Sequence, residues 1–117
     1  MTNEQLEDKI RLLTTTVAEL ASRFGSSGLN NPISLGLLCL EMSFTNDEME
    51  KIIVAFNKYA DDMDSEELIL DDFRKILNQI HPADYEGFYT DRLVKAFIKA
   101  SAIGYVTALY PYIDDLD

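Results

Sequence analysis

Residues 6–24, LEDKIRLLTTTVAELASRF, decide the fold class of this chain, because their apolar side chains recur at alternating steps of four and three. This spacing is a heptad repeat, in which the a and d positions form one stripe along a helix. The stripe consists of Leu6, Ile10, Leu13, Val17, Leu20 and Phe24. β-Branched residues at a with leucine at d favour two parallel strands, so the stretch predicts an oligomerisation helix. Leu12 at position c widens the apolar stripe, which leaves the number of associating helices open.

Composition indicates an acidic globular protein of one domain. The 117 residues are 47% hydrophobic, which is enough for a buried core. The net charge of −11 disfavours binding to nucleic acid or to an anionic membrane surface, because clustered Lys and Arg hold such partners. Residues 1–31 carry four acids and three bases, a net charge of −1, so residues 32–117 carry the remaining −10.

Cysteine usage and hydropathy predict a cytoplasmic protein. Cys39 is the single cysteine, and its setting among leucines at 37–40 predicts a buried thiol without a disulfide. The longest apolar run, residues 35–40, is far shorter than the ~20 residues of a membrane span. The N-terminus alternates charged and apolar residues, so we expect neither a signal peptide nor a membrane partner.

A polar segment rich in Gly, Ser and Asn interrupts the helical pattern at residues 25–31. It divides the chain into an N-terminal coiled-coil helix at 1–24, a linker at 25–31 and a helical body at 32–117, all within one domain. No solenoid repeat recurs, so the pattern predicts an all-α bundle of five or six helices. The linker permits the first helix either to project from the body or to fold back on it.

Capping and stop signals divide the body into helices. The clearest is the capping box Thr45-Asn46-Asp47-Glu48, in which the side chain of each end residue accepts from the backbone amide of the other. The other signals are a start at Asn31-Pro32, a start at Asp71 or Asp72, a stop at His81 before Pro82, a start at Thr90-Asp91, a break at Gly104 and a kink or end at Pro111. Residues 33–42 are apolar nearly all round and predict the central, most buried helix.

Residues 61–72, DDMDSEELILDD, form the one segment that resembles a ligand site. It has the length of a calcium-binding EF-hand loop, but Met63 takes the third position, where an oxygen ligand is needed, and Glu66 replaces the glycine at the sixth. A frame shifted by one residue puts Phe73 at the twelfth position, where a bidentate acid belongs. We therefore expect no metal and no other cofactor.

The same acids allow two interpretations, a solvated surface or a candidate acidic partner face. The residues concerned are Asp61, Asp62, Asp64, Glu66, Glu67, Asp71 and Asp72. A face of this charge could imitate nucleic acid and inhibit a basic, nucleic-acid-handling protein, as a phage or defence-related chain would. Many acidic proteins carry such charge only for solubility, so both interpretations stay open.

No pattern in the sequence predicts an enzyme. His81 is the only histidine and lacks cysteine neighbours for a zinc site, so we place it at a helix C-terminus, where an imidazolium meets the helix dipole favourably. A nucleophilic pair of Cys39 with His81 is disfavoured because a thiol on an apolar helix is inert. The sequence also lacks a nucleophile elbow and a glycine-rich phosphate loop.

Aromatic residues concentrate in the last third of the chain, where they could form part of a partner surface. Helical spacing accounts for Phe97, Tyr105 and Tyr110 as core residues. Tyr85, Tyr89 and Tyr112 are the tyrosines that we expect to be exposed.

The order of these segments resembles the YhaI-like family, small proteins of Bacillus and related bacteria that form a domain class of unknown function. The segments that carry the resemblance are the N-terminal heptad helix, the apolar helix from Asn31-Pro32-Ile33 to Leu40, the cap at Phe44–Glu48, Leu70-Asp71-Asp72-Phe73, and Leu93–Leu109 with its glycine. This chain differs from the family in its longer linker and in the turn at 82–89. The resemblance implies an all-α fold, a bacterial cytosolic setting and oligomers, and it assigns no functional residue.

These features together predict a non-enzymatic interaction or regulatory module. Its first partner is a further copy of itself, bound through the N-terminal helix as a dimer or a higher oligomer, and a second, unidentified protein partner is expected. The acidic inhibitor remains the alternative function.

Overall fold

The computed structural model describes residues 2–23 and 34–113, and all regular secondary structure in these ranges is helical. The helices in chain order are α1 (Asn3–Arg23), α2 (Leu35–Glu41), α3 (Asn46–Asp62), α4 (Leu70–Ile80), α5 (Asp91–Ala102) and α6 (Tyr110–Ile113). Two short 3₁₀ turns, Ser65–Glu67 and Thr107–Leu109, precede α4 and α6. The predicted all-α class is confirmed.

Local hydrogen bonds at the helix starts agree with the predicted caps. The Thr45 hydroxyl accepts from the Glu48 amide at 3.1 Å, and the Thr45 amide donates to the Glu48 carboxylate at 2.8 Å, so the capping box is confirmed. Thr90 caps α5 by accepting from the Leu93 amide. Ser34 caps α2 in the same way, whereas the predicted start at Asn31-Pro32 lies outside the described residues.

Two predicted boundaries differ from the structure. Helix α4 begins at Leu70, one or two residues before the predicted start at Asp71 or Asp72, because the extended backbone ends at Ile69. The predicted kink or end at Pro111 is wrong: Pro111 lies in the single turn of α6, where its missing amide leaves no intrahelical bond unmade. The predicted break at Gly104 is present: α5 ends at Ala102, and Gly104 follows the C-cap residue Ile103 with a φ of 90°.

The core lies between four helices, with α4 packed on α3 and α5, and α2 packed on α3 and α5. Three phenylalanine rings are fully enclosed there, Phe56 from α3, Phe73 from α4 and Phe97 from α5. The prediction that α2 is the most buried helix is wrong. Gly36 and Leu40 of α2 face solvent, while eight of the 12 residues of α5 are buried, three of them alanines.

Ser101 on α5 is fully buried, and its hydroxyl has no hydrogen-bond partner within the described part of the chain. A desolvated, unpaired hydroxyl lowers stability, and alanine is the better helix former. We therefore expect Ser101→Ala to raise the free energy of unfolding in urea by about 1 kcal/mol. Ala100 is equally buried, so Ala100→Ser is the matched control and should lower stability. A destabilised Ser101→Ala variant would contradict this account of the core.

Candidate functional site

The principal candidate site is the apolar face of α1, named here the α1 seam. Its described members are Leu6, Ile10, Leu13, Val17 and Leu20, and the sixth predicted member, Phe24, lies outside the described residues. The five side chains are between 40% and 64% exposed, and Leu12 beside them is 64% exposed. The packing of α1 within the chain is mainly against α2. The apolar stripe that would be buried if α1 folded back on the body is therefore open to solvent.

A capping box that the sequence analysis missed fixes the start of α1. The Thr2 hydroxyl accepts from the Gln5 amide at 3.2 Å, and the Thr2 amide donates to the Gln5 side-chain oxygen at 2.9 Å. The pattern Thr-x-x-Gln ahead of an apolar run is a known signal for this motif and could have been read from the sequence. Because the helix begins at Asn3, all five described seam residues lie within it.

Two threonines flank the α1 seam with their hydroxyls turned to the backbone. Thr14 at position e donates to the Ile10 carbonyl at 2.8 Å, and Thr16 at position g donates to the Leu12 carbonyl at 2.8 Å. Both hydroxyls are therefore satisfied inside the helix. The middle of α1 offers no charge at these flanking positions, which widens the surface that a partner can cover.

The acidic run does not converge on one point. The Asp72 carboxylate accepts from the Tyr59 hydroxyl at 2.6 Å, and the same hydroxyl accepts from the Ile69 amide. Asp71 pairs with Arg74 at 2.8 Å, and this hydrogen bond holds the pKa of the Asp71 carboxyl below its ordinary value. The other five, Asp61, Asp62, Asp64, Glu66 and Glu67, are exposed. Residues 2–23 and 34–113 contain no group of three or more His, Cys, Asp or Glu side chains placed to hold a metal ion.

His81 joins α4 to the start of α3, a contact that the sequence analysis missed. Its Nδ1 lies 2.8 Å from the Glu48 carboxylate, and its ring stacks on Phe44 with centroids 3.9 Å apart. Glu48 is also the carboxylate of the capping box, so one side chain serves both contacts. The amide of Thr45, and then His81, hold the pKa of Glu48 below its ordinary value. His81 caps the C-terminus of α4 as predicted.

Cys39 is buried, as the sequence predicts, and its thiol is poorly suited to chemistry. Burial, with a smaller contribution from the negative charge of Glu48, raises the pKa of Cys39 to about 11. Since the thiolate is the reactive form, the thiol is inert near neutral pH.

The predicted set of exposed tyrosines is wrong in two of three members. Tyr85 is exposed, but Tyr89 and Tyr112 are buried. The Tyr89 hydroxyl donates to the His81 carbonyl, and the Tyr112 ring stacks on Phe73. Helical spacing predicts neither contact. Tyr105 and Tyr110, predicted as core residues, are about half exposed.

An open cleft of about 650 Å³ lies between α4 and the segment 83–91. Arg74 lines the cleft. Its guanidinium donates through Nε to the Tyr89 carbonyl at 2.9 Å and pairs with Asp71 and Asp91. Arg74 therefore holds the segment against α4 and is already engaged within the chain.

The described residues contain no helix with the length and apolarity needed to cross a membrane. Comparisons with models of protein families, with curated proteins and with solved structures find no match to this chain. The α1 seam thus remains the surface on which a functional interpretation rests.

Proposed function

We propose that this protein is a non-enzymatic interaction module that associates with further copies of itself through α1. The observation that carries the proposal is the exposure of the α1 seam, in which five aliphatic side chains at heptad spacing are 40–64% exposed. Helices of this length gain most of their stability by packing an apolar face against a partner. Contiguous exposed apolar surface of this kind is typical of protein interaction sites.

A second copy is the partner that the residue types of the seam favour. Ile10 and Val17 at a, with Leu6, Leu13 and Leu20 at d, are the side chains that pack knobs-into-holes between like helices. The flanking Thr14 and Thr16 carry no charge that would select a different, oppositely charged helix.

The area available supports a reversible complex. Fully burying a Leu or Ile side chain gains about 1.5–3 kcal/mol, so covering five half-exposed side chains on each of two helices gains roughly 8–15 kcal/mol. Association itself costs about 4–15 kcal/mol. The balance is small, so the assembly should depend on protein concentration, and a wider bundle of helices would bury more of each stripe.

Mass in solution tests the proposal. The full chain should form oligomers as its concentration rises from micromolar to near-millimolar in sedimentation velocity, while Leu13→Glu, which places a charge in the centre of the seam, should stay monomeric. Thr15→Glu adds the same charge to the exposed position f of the same helix and is the matched control.

Far-UV circular dichroism should show a helical body in all three proteins. A monomeric wild-type chain over the whole concentration range would contradict self-association. Equal masses for Leu13→Glu and the oligomeric wild type would show that the copies associate through another surface.

A further inference from the structure

We propose that two copies pair with their α1 helices antiparallel, so that the two bodies lie at opposite ends of the helix pair. This inference rests on the proposed self-association through α1 and adds its direction. The residue types of the seam favour a number of strands, but they do not by themselves choose between a parallel and an antiparallel pair. We therefore infer the direction from the charges of the chain.

The bodies carry almost all the charge of the chain. Residues 1–31 account for −1 of the net −11, so residues 32–117 carry −10, and they follow the C-terminal end of α1. In a parallel pair the helix axes are ~8–10 Å apart, so both bodies start from the same end and face each other. Like charges on the facing surfaces repel wherever they come within the screening length of ~8 Å at physiological salt.

An antiparallel pair separates the two points at which the bodies join α1 by about the length of this helix. Its 21 residues span roughly 30 Å at ~1.5 Å per residue. These points are then more than three screening lengths apart, so the repulsion between the bodies is weaker than in a parallel pair.

The flanks of the α1 seam contain nothing that would offset repulsion in a parallel pair. Parallel coiled coils gain specificity from opposite charges at g and at the e position of the next heptad in the partner. Here Lys9 at g would meet Thr14, and Thr16 at g would meet Ala21. The Thr14 hydroxyl, which donates to the Ile10 carbonyl, carries no charge, so Lys9 finds no opposite charge to pair with at this position.

The ends of α1 favour the same direction. Glu4, Glu7 and Asp8 lie in the first turns and Arg23 is the last residue of the helix. A parallel pair places the acids of both copies together, whereas an antiparallel pair brings the acidic first turns of each helix near the basic end of the other. Antiparallel helix dipoles also attract each other.

Spin-label distances test the direction. Glu4 and Glu19 lie at the outer positions b and c, both exposed, so labels on Glu4→Cys and Glu19→Cys leave the seam intact. Glu7, Asp8 and Arg23 keep the opposite charges at the two ends of the labelled helix. The natural Cys39 is buried, and unlabelled wild type treated with the reagent controls for it. Pulsed dipolar spectroscopy compares two samples: Glu4→Cys alone, and a mixture of Glu4→Cys with Glu19→Cys.

We expect the distance between labels at 4 and 19 of different copies to be shorter than that between the two labels at 4. The difference in axial separation should be roughly 20 Å, since the compared positions differ by 15 residues at ~1.5 Å each. The reverse order would establish a parallel pair and overturn the inference while leaving self-association intact. Absence of any intermolecular distance at the highest concentration would contradict the proposed function itself.

Discussion

Replacing Phe73 with alanine is expected to lower the free energy of unfolding by about 3–5 kcal/mol. Phe73 is fully buried in the first turns of α4 and contacts three other rings. Its centroid lies 5.0 Å from those of Phe56 and Tyr59 in edge geometry, and 5.5 Å from that of Tyr112. The substitution therefore removes the ring that connects α3, α4 and α6, and it leaves a cavity that these helices cannot fully close.

Urea denaturation followed by far-UV circular dichroism, at one protein concentration for all variants, measures the loss. Tyr85→Ala is the aromatic control, because Tyr85 is 65% exposed, and it should change stability by less than about 1 kcal/mol. Phe73→Leu keeps much of the volume and gives a measurable, smaller loss if the alanine variant does not fold. Equal effects of Phe73→Ala and Tyr85→Ala would show that α4 does not pack as described.

Helix starts could be read from the sequence because caps are local. The bonds of Thr45 with Glu48 and of Thr90 with Leu93 join residues three apart, and the residue types alone specify them. Thr2 and Gln5 obey the same rule, so that cap was also readable. The error at Pro111 arose because proline is excluded from helix interiors but is accepted in a first turn.

Burial of single aromatic residues could not be read in this way. The Tyr89 hydroxyl donates to the carbonyl of His81, eight residues earlier, and the Tyr112 ring stacks on Phe73, which is far away in the sequence. The contact of His81 with Glu48 joins residues 33 apart. Amphipathic spacing says which side of a helix is apolar, but it does not say which element covers that side.

The α1 seam shows the same division between pattern and packing. Heptad spacing identified the residues, yet the same spacing is found in core helices and in oligomerisation helices. The distinction comes from exposure, since Leu13 is 64% exposed while Phe56 on α3 is fully buried. The sequence likewise does not predict the hydrogen bonds of Thr14 and Thr16 to backbone carbonyls, because a threonine hydroxyl can face either solvent or a carbonyl.

Replacing His81 with alanine is expected to lower the free energy of unfolding by about 2–3 kcal/mol. The substitution removes the ring stacked on Phe44 and the hydrogen bond to the Glu48 carboxylate. Both side chains of that pair are only about one-fifth exposed, 20% for His81 and 19% for Glu48, so water replaces the lost contact poorly. Gln79→Ala, at an exposed neighbouring position of α4, should have little effect in the same urea titration.

Acid dependence separates the two functions of Glu48. Its pKa in the folded protein lies below the ordinary 4.5, so its ionised form adds stability above that pH, and this stability is lost as pH falls through the folded value. The amide of Thr45 is the larger cause and His81 a lesser one. Glu48→Gln should therefore abolish this part of the acid limb, whereas His81→Ala should only reduce it, since the Thr45 amide still donates to the carboxylate. An acid limb that His81→Ala removed as completely as Glu48→Gln would show instead that the histidine, and not the capping box, keeps Glu48 ionised.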